Sequence, residues 1–177
     1  MLYHATTELR TDDILQEGIR NTRHHGGLLL PVIGHPTNFI GHRIDNNKPE
    51  YVTVNVQEAI FMFDQDFYDS YLEEWHGKGF TTVFSISEQQ LDIRALGVFN
   101  MAISETMGDA ETKEEQKRIS HTYWNSQLRA DAYWAQKDKV QALWKKEGLP
   151  FIAEYLYFCP RIPPENFKMI KRHGKDI

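Results

Sequence analysis

The sequence predicts a mixed α+β domain, and three observations carry that expectation. Short runs of β-branched and aromatic residues recur along the chain, at residues 2–5, 51–56, 80–86 and 151–158. A block over about 109–147 is strongly helical. The 177 residues fit one domain, 1–177, of ordinary size.

The elements read in order as follows. Leu2-Tyr3-His4-Ala5 is a short strand. Thr11 caps a helix, Asp12 and Asp13 suit its positive N-terminal end, and Gly18 stops it. Residues 21–50 hold four glycines, three prolines and Asn46-Asn47, which predicts a long ligand-covering loop with at most a brief strand at Leu28 to Ile33. Tyr51 to Val56 alternates like a strand. A helix is expected over roughly 57–75, with Ala59, Ile60, Phe63, Phe67, Tyr71 and Trp75 on one face. After Gly77-Lys78-Gly79 a strand carries Phe80, Thr82, Phe84 and Ile86 on one side, and Val98 to Ile103 is a further strand candidate. In the helical block, Tyr123-Trp124, Tyr133-Trp134 and Trp144 spread over a wide stripe that packs on a sheet. Arg118, His121, Arg129 and Lys137 beside them leave room for stacking on a base. Lys137, Lys139, Lys145 and Lys146 precede the last strand, and Lys168 to Lys175 reads as a short solvated basic end.

Composition excludes several classes. The net charge of −5 argues against broad electrostatic affinity for nucleic acid. One cysteine, Cys159, excludes an internal disulfide and a multi-cysteine metal site. His24, His25, His35 and His42 share a segment but form no His-x3-His pair, so no metal is expected. The opening residues lack the basic and apolar regions of a signal peptide, and no apolar run approaches the ~20 residues that cross a bilayer. A cytoplasmic protein without membrane contact is the expectation. No Gly-x-Gly-x-x-Gly follows a strand, and neither a Gly-x4-Gly-Lys-Ser/Thr loop nor a Gly-x-Ser-x-Gly elbow is present.

The sharpest single feature is Phe151-Ile152-Ala153-Glu154-Tyr155-Leu156-Tyr157-Phe158, an apolar strand with one charge. A carboxylate there is costly to bury unless something compensates. Either Glu154 lies on an edge strand with its side chain in water, or it belongs to an active site.

Three segments, taken in order, bear on that choice. Leu2-Tyr3-His4-Ala5-Thr6-Thr7 is followed by Ile14-Leu15-Gln16-Glu17-Gly18-Ile19. Tyr51-Val52-Thr53 precedes Ala59 and an aromatic at Phe61 or Phe63. Ala153-Glu154-Tyr155-Leu156-Tyr157 precedes Ile162-Pro163-Pro164-Glu165. This order resembles the ADP-ribosyltransferase superfamily in its His-Tyr-Glu form, nearest to the DarT-like DNA-modifying toxins, with the catalytic domains of the poly-ADP-ribose polymerases similar at the Tyr and Glu segments. The resemblance implies split antiparallel β-sheets around an NAD cleft, with the block at about 109–147 as a helical insertion. It also implies catalytic roles for His4, Tyr51 and Glu154. His4 would bond the nicotinamide-side ribose, Tyr51 with Phe61 or Phe63 would sandwich the nicotinamide, and Thr6 would contact the adenine side. Glu154 would bond the ribose 2′-hydroxyl and stabilise a ribosyl cation. The acceptor would be a macromolecule, single-stranded nucleic acid or protein. A hydrolytic toxin that splits NAD, and an inactive binding or inhibitor protein, are the alternatives. Ile152 stands where the arginine-modifying branch has Gln or Glu, Tyr51 to Phe63 contains no arginine of the DarT kind, and Glu154 argues against 2′-phosphotransfer.

Overall fold

Strand β1 (Leu2–Thr6) pairs antiparallel with β4 (Thr82–Ile86), His4 facing Phe84 across the ladder. The computed structural model describes residues 1–20, 37–77 and 79–177. Beyond β4 the sheet continues through β9 (Phe167–Arg172) to β10 (Lys175–Asp176), in the order β1-β4-β9-β10. The solvated basic end expected at 168–175 is therefore overturned. Phe167 packs edge-on against Phe84, Lys171 pairs with Asp176, and Arg172 pairs with Glu8 and Asp12. Partner carboxylates turn a basic run into an interior strand.

Helix α1 (Glu8–Glu17) starts at Thr7, ahead of the expected cap. Thr11 lies inside it, buried, and its hydroxyl donates to Thr82 Oγ1 at 2.9 Å. Gly18 ends the helix with φ of 90°; a Cβ there would stand 2.4 Å from the Ile162 carbonyl oxygen, so no other residue fits. Short strands β2 (Ile19–Arg20) and β8 (Arg161–Ile162) pair just beyond it.

The second four-stranded sheet has the order β3-β7-β5-β6, all antiparallel: β3 (Ile60–Met62), β5 (Leu96–Asn100), β6 (Leu128–Arg129) and β7 (Ala153–Tyr157). The fold class is thus α+β with antiparallel sheets. Residues 37–46 of the expected long loop form α2 (Thr37–Asn46). The rest of that expectation, residues 21–36 with His24, His25, His35 and the Leu28 to Ile33 strand, lies outside the described residues. The helix expected at 57–75 is divided: a 3-10 turn at Val56–Glu58, then β3, then α3 (Gln65–Gly77). Asp64 sets that late start, its carboxylate accepting from the Phe67 N–H at 3.2 Å. The strand expected to reach Ile103 ends at Asn100, whose side chain caps α4 (Met101–Glu105). The helical block is two helices, α5 (Lys113–Asn125) and α6 (Ala130–Lys146), joined through β6. A capping box of Thr112 and Glu115 opens α5.

One apolar core is shared by both sheets: Leu2, Phe84 and Ile86 of the first meet Met62, Val98 and Tyr155 of the second, with Ile14 of α1 and Tyr133 of α6. A second core lies on the other face of the β3-β7-β5-β6 sheet, where Phe99 and Leu156 pack on Ile44, Ile103, Tyr123 and Trp124 from α2, α4 and α5. A third gathers Tyr3, Ala5 and Val83 with Phe63 and Phe67. Among the described residues no helix is long and apolar enough to cross a membrane.

Candidate functional site

Glu154 sits on β7, an interior strand with β3 on one side and β5 on the other. Its side chain is only 8% exposed. The edge-strand alternative is thereby excluded. Phe99 is its cross-strand partner on β5, and Tyr123 of α5 stacks on Phe99 with ring centroids 5.1 Å apart. The carboxyl thus looks into the α5 side of the sheet. Burial pushes it up to about 7; the neighbouring Tyr123 hydroxyl pulls the other way, and Glu105 of α4 adds to the upward push. The same contact, with burial first, raises the Tyr123 phenol well above its ordinary value. Oε1 of Glu154 has no hydrogen-bond partner among the described residues. A buried oxygen left unbonded costs about 1–3 kcal/mol; His76 Nε2, Trp124 Nε1 and Tyr133 OH share that state.

His4 lies where the two sheets meet. Among the described residues a single backbone pair joins them, Tyr3 with Phe63, through N–H···O bonds of 2.8 and 3.0 Å. The pairing stops there. The Phe61 carbonyl, two residues back along β3, is taken instead by His4 Nδ1 at 2.8 Å. A carbonyl only accepts, so Nδ1 carries the proton and Nε2 is the acceptor of the neutral ring. Phe61 pairs with Leu156 on β7 and shares a face with it and with Glu154. His4 is therefore tied to the strand adjoining the one that carries Glu154, about two strand spacings (~10 Å) away across the sheet.

Tyr51 is not on a strand: residues 50 and 51 form a turn, leading into the 3-10 turn. Side chains outcompete strand pairing here. Asp45 of α2 accepts from the backbone N–H groups of Val56 (2.7 Å) and Gln57 (3.2 Å), and Lys48 Nζ donates to the Val54 carbonyl at 2.7 Å. Tyr51 is 69% exposed, and its hydroxyl donates to Asn125 Oδ1 at 2.5 Å. Asn125 is the last residue of α5, two beyond Tyr123. Tyr51 and Glu154 thus converge on one helical turn.

The remaining expected residues separate. Phe61 is 38% exposed and open to a flat ligand, whereas Phe63 is 6% exposed and packed between Tyr3 and Phe67. Thr6 is buried in the ladder opposite Thr82. Lys137 is held by Asp66 (2.5 Å) and Asp64 (3.3 Å) rather than by solvent alone. Sequence reading missed Tyr123, Asn125 and Asn100. Asn100 is fully buried: its Oδ1 accepts from Ile152 N–H at 3.0 Å and Ala102 N–H at 3.2 Å, and its Nδ2 donates to the Pro150 carbonyl at 3.0 Å. It locks the start of β7. The available signal was polar residues placed at the ends of apolar elements, Asn100 after Phe99 and Asn125 after Trp124.

A small cavity of about 130 Å³ opens beside the start of β7, lined in part by Tyr71, Tyr133, Phe151 and Ala153. That is room for about one aromatic ring, and Ala153 faces away from Glu154 along the strand. Among the described residues no group of three or more His, Cys, Asp and Glu is placed to hold a metal. No family model, curated protein or solved structure matches the chain.

Proposed function

We propose that the protein transfers ADP-ribose from NAD to a macromolecular acceptor, single-stranded nucleic acid or protein, and releases nicotinamide. The observation that carries this reading is Glu154: a buried carboxyl on an interior strand with one oxygen unbonded. The order His4, Tyr51, Glu154 and its resemblance to ADP-ribosyltransferases supply the reaction class. Two antiparallel sheets joined at one residue pair suit the split-sheet fold of that family.

In this reaction the bond between ribose C1′ and the nicotinamide nitrogen breaks, and its electron pair leaves with neutral nicotinamide. C1′ becomes cationic. An acceptor oxygen or nitrogen then forms the new bond and loses its proton to solvent. Glu154 acts as a fixed negative charge, with Oε1 directed at the ribose hydroxyl. His4, its tautomer set by Phe61, orients the sugar. The exposed rings of Tyr51 and Phe61 offer flat surfaces to the leaving group. Ile152, two residues before Glu154, makes arginine a poor acceptor.

Incubation with labelled NAD and separate DNA, RNA and protein fractions tests the proposal. Label should enter one fraction, and Glu154→Gln should reduce transfer on the order of a hundredfold or more. Fast stoichiometric nicotinamide release with NAD alone would instead assign hydrolysis. No NAD-dependent thermal shift, with no label transferred, would favour the non-enzymatic alternative.

A further inference from the structure

The last turn of α5 meets both the Glu154 strand and the Tyr51 turn of the candidate site. Tyr123, fully buried, stacks on Phe99, the cross-strand partner of Glu154, and so lies beside the carboxyl. Asn125, two residues on, accepts the Tyr51 hydroxyl. Ser126, which closes the helix, accepts the Asn100 N–H at 3.1 Å and donates to the Tyr123 carbonyl at 2.6 Å. Asn100 in turn holds the Ile152 N–H, two residues before Glu154. Three neighbouring residues of one helix end, Tyr123, Asn125 and Ser126, thus meet the acid strand's partner, the tyrosine loop and the end of β5. Packing alone does not require this. Trp124 in the same turn supplies apolar burial, while Tyr123, Asn125 and Ser126 spend their polar groups on the site.

We infer that this turn, which belongs to the helical insertion, assembles the site: Tyr123 is a positioning residue for Glu154 and Asn125 a positioning residue for Tyr51. The roles assigned to Glu154 and Tyr51 rest on the proposed reaction; the contacts themselves do not. In this role the Tyr123 hydroxyl, brought beside the carboxyl by the stack on Phe99, would donate to one carboxyl oxygen and leave Oε1 for the ligand. It also favours the charged form that a ribosyl cation needs. The other ionisable group facing the carboxyl is Glu105 from α4, which opposes that charge; Asp45 of α2 faces Tyr123, while Phe99 on β5 brings no charge. Asn125 holds a ring that would otherwise swing freely at the surface.

The decisive measurement needs no NAD. Carboxyl-labelled glutamate followed by carbon NMR gives the titration midpoint of Glu154 in the intact protein, its resonance identified with Glu154→Gln. In Tyr123→Phe, which keeps the buried ring, the midpoint should rise by about one pH unit. Thr122→Ala, one residue away, exposed and bonded only to the Arg118 carbonyl, should leave it unchanged. Equal midpoints in Tyr123→Phe and the parent would overturn the inference, whether or not the protein uses NAD. If transfer is found, the acid limb of the Tyr123→Phe rate profile should move up with the midpoint, and rates should recover at high pH. A uniform loss at every pH would mean the tyrosine only supports the fold, and would overturn its role. Asn125→Ala should raise KM for NAD severalfold with kcat within about twofold of the parent; a fall in kcat alone would overturn that half. A midpoint shift in a protein that never consumes NAD would leave the contact standing and remove the proposed reaction.

Discussion

Glu154 carries opposite consequences for stability and for chemistry. Its midpoint in the folded chain, about 7, lies above the ordinary value of 4.5 because burial penalises the charge. The contribution to stability is therefore complete below pH 4.5 and is lost as pH rises through 7. The shift corresponds to about 3 kcal/mol. Glu154→Gln keeps the shape and an acceptor for Tyr123. It should stabilise the protein by up to about 3 kcal/mol at pH 8 and by almost nothing near pH 4, as urea unfolding at the two pH values would show. An unchanged stability at pH 8 would mean the carboxyl is better solvated than its burial implies. The rate of the proposed transfer should show the reverse slope, falling as pH drops through 7, because a ribosyl cation would need the charged form. A group that destabilises its fold at working pH is expected at a site kept for chemistry.

At the scale of elements, β5 and the end of α5 act as the frame of the site. Asn100→Leu would leave the Ile152 and Ala102 N–H groups and the Pro150 carbonyl without their side-chain partner. A loss of about 2–4 kcal/mol follows from stranding those buried groups, measurable by thermal or urea unfolding. Gly97 provides the second test. A Cβ there would lie 2.7 Å from Phe99 Cε2 and 3.1 Å from Gln127 Nε2, so the Phe99 ring occupies the space a side chain would need. Gly97→Ala should push Phe99 off its stack with Tyr123 and cost about 1–3 kcal/mol. A crystal structure of the variant would show whether the ring moves.

At the scale of the molecule, the two sheets share a core and, among the described residues, one backbone residue pair. The C-terminal strand β9 is an inner member of the first sheet, so it cannot be dispensable. A chain ending at Asn166 would bare the β4 edge and remove the Phe167 contact with Phe84. Such a chain should lose cooperative thermal unfolding, which far-UV circular dichroism would report. A sharp transition in it would contradict the sheet order. Surface ion pairs such as Arg94–Asp92 and Arg129–Asp131 should matter little by comparison, since water and salt screen exposed pairs.

Much of this molecule was legible in its residues, and the rest had a physical reason to be hidden. Local pattern sufficed for β1, β4, the strand of Glu154, the stop at Gly18 and the helical character of residues 109–147, because alternation, caps and glycine geometry act within a few residues. The oddity of Glu154 was equally local: one charge in an apolar run. Local pattern failed at Tyr51 to Val56, where an alternating run became turns. Asp45 and Lys48 bind its backbone, and among the described residues no strand pairs with it. It failed again at residues 167–172, whose basic character concealed an inner strand with carboxylate partners from α1 and β10. Tertiary structure alone decided that β7 is interior, that Phe61 is open while Phe63 is buried, and that the end of α5 lies over Glu154 and Tyr51. Those outcomes depend on pairings between residues about 30 to more than 150 positions apart, and no window of sequence contains both partners.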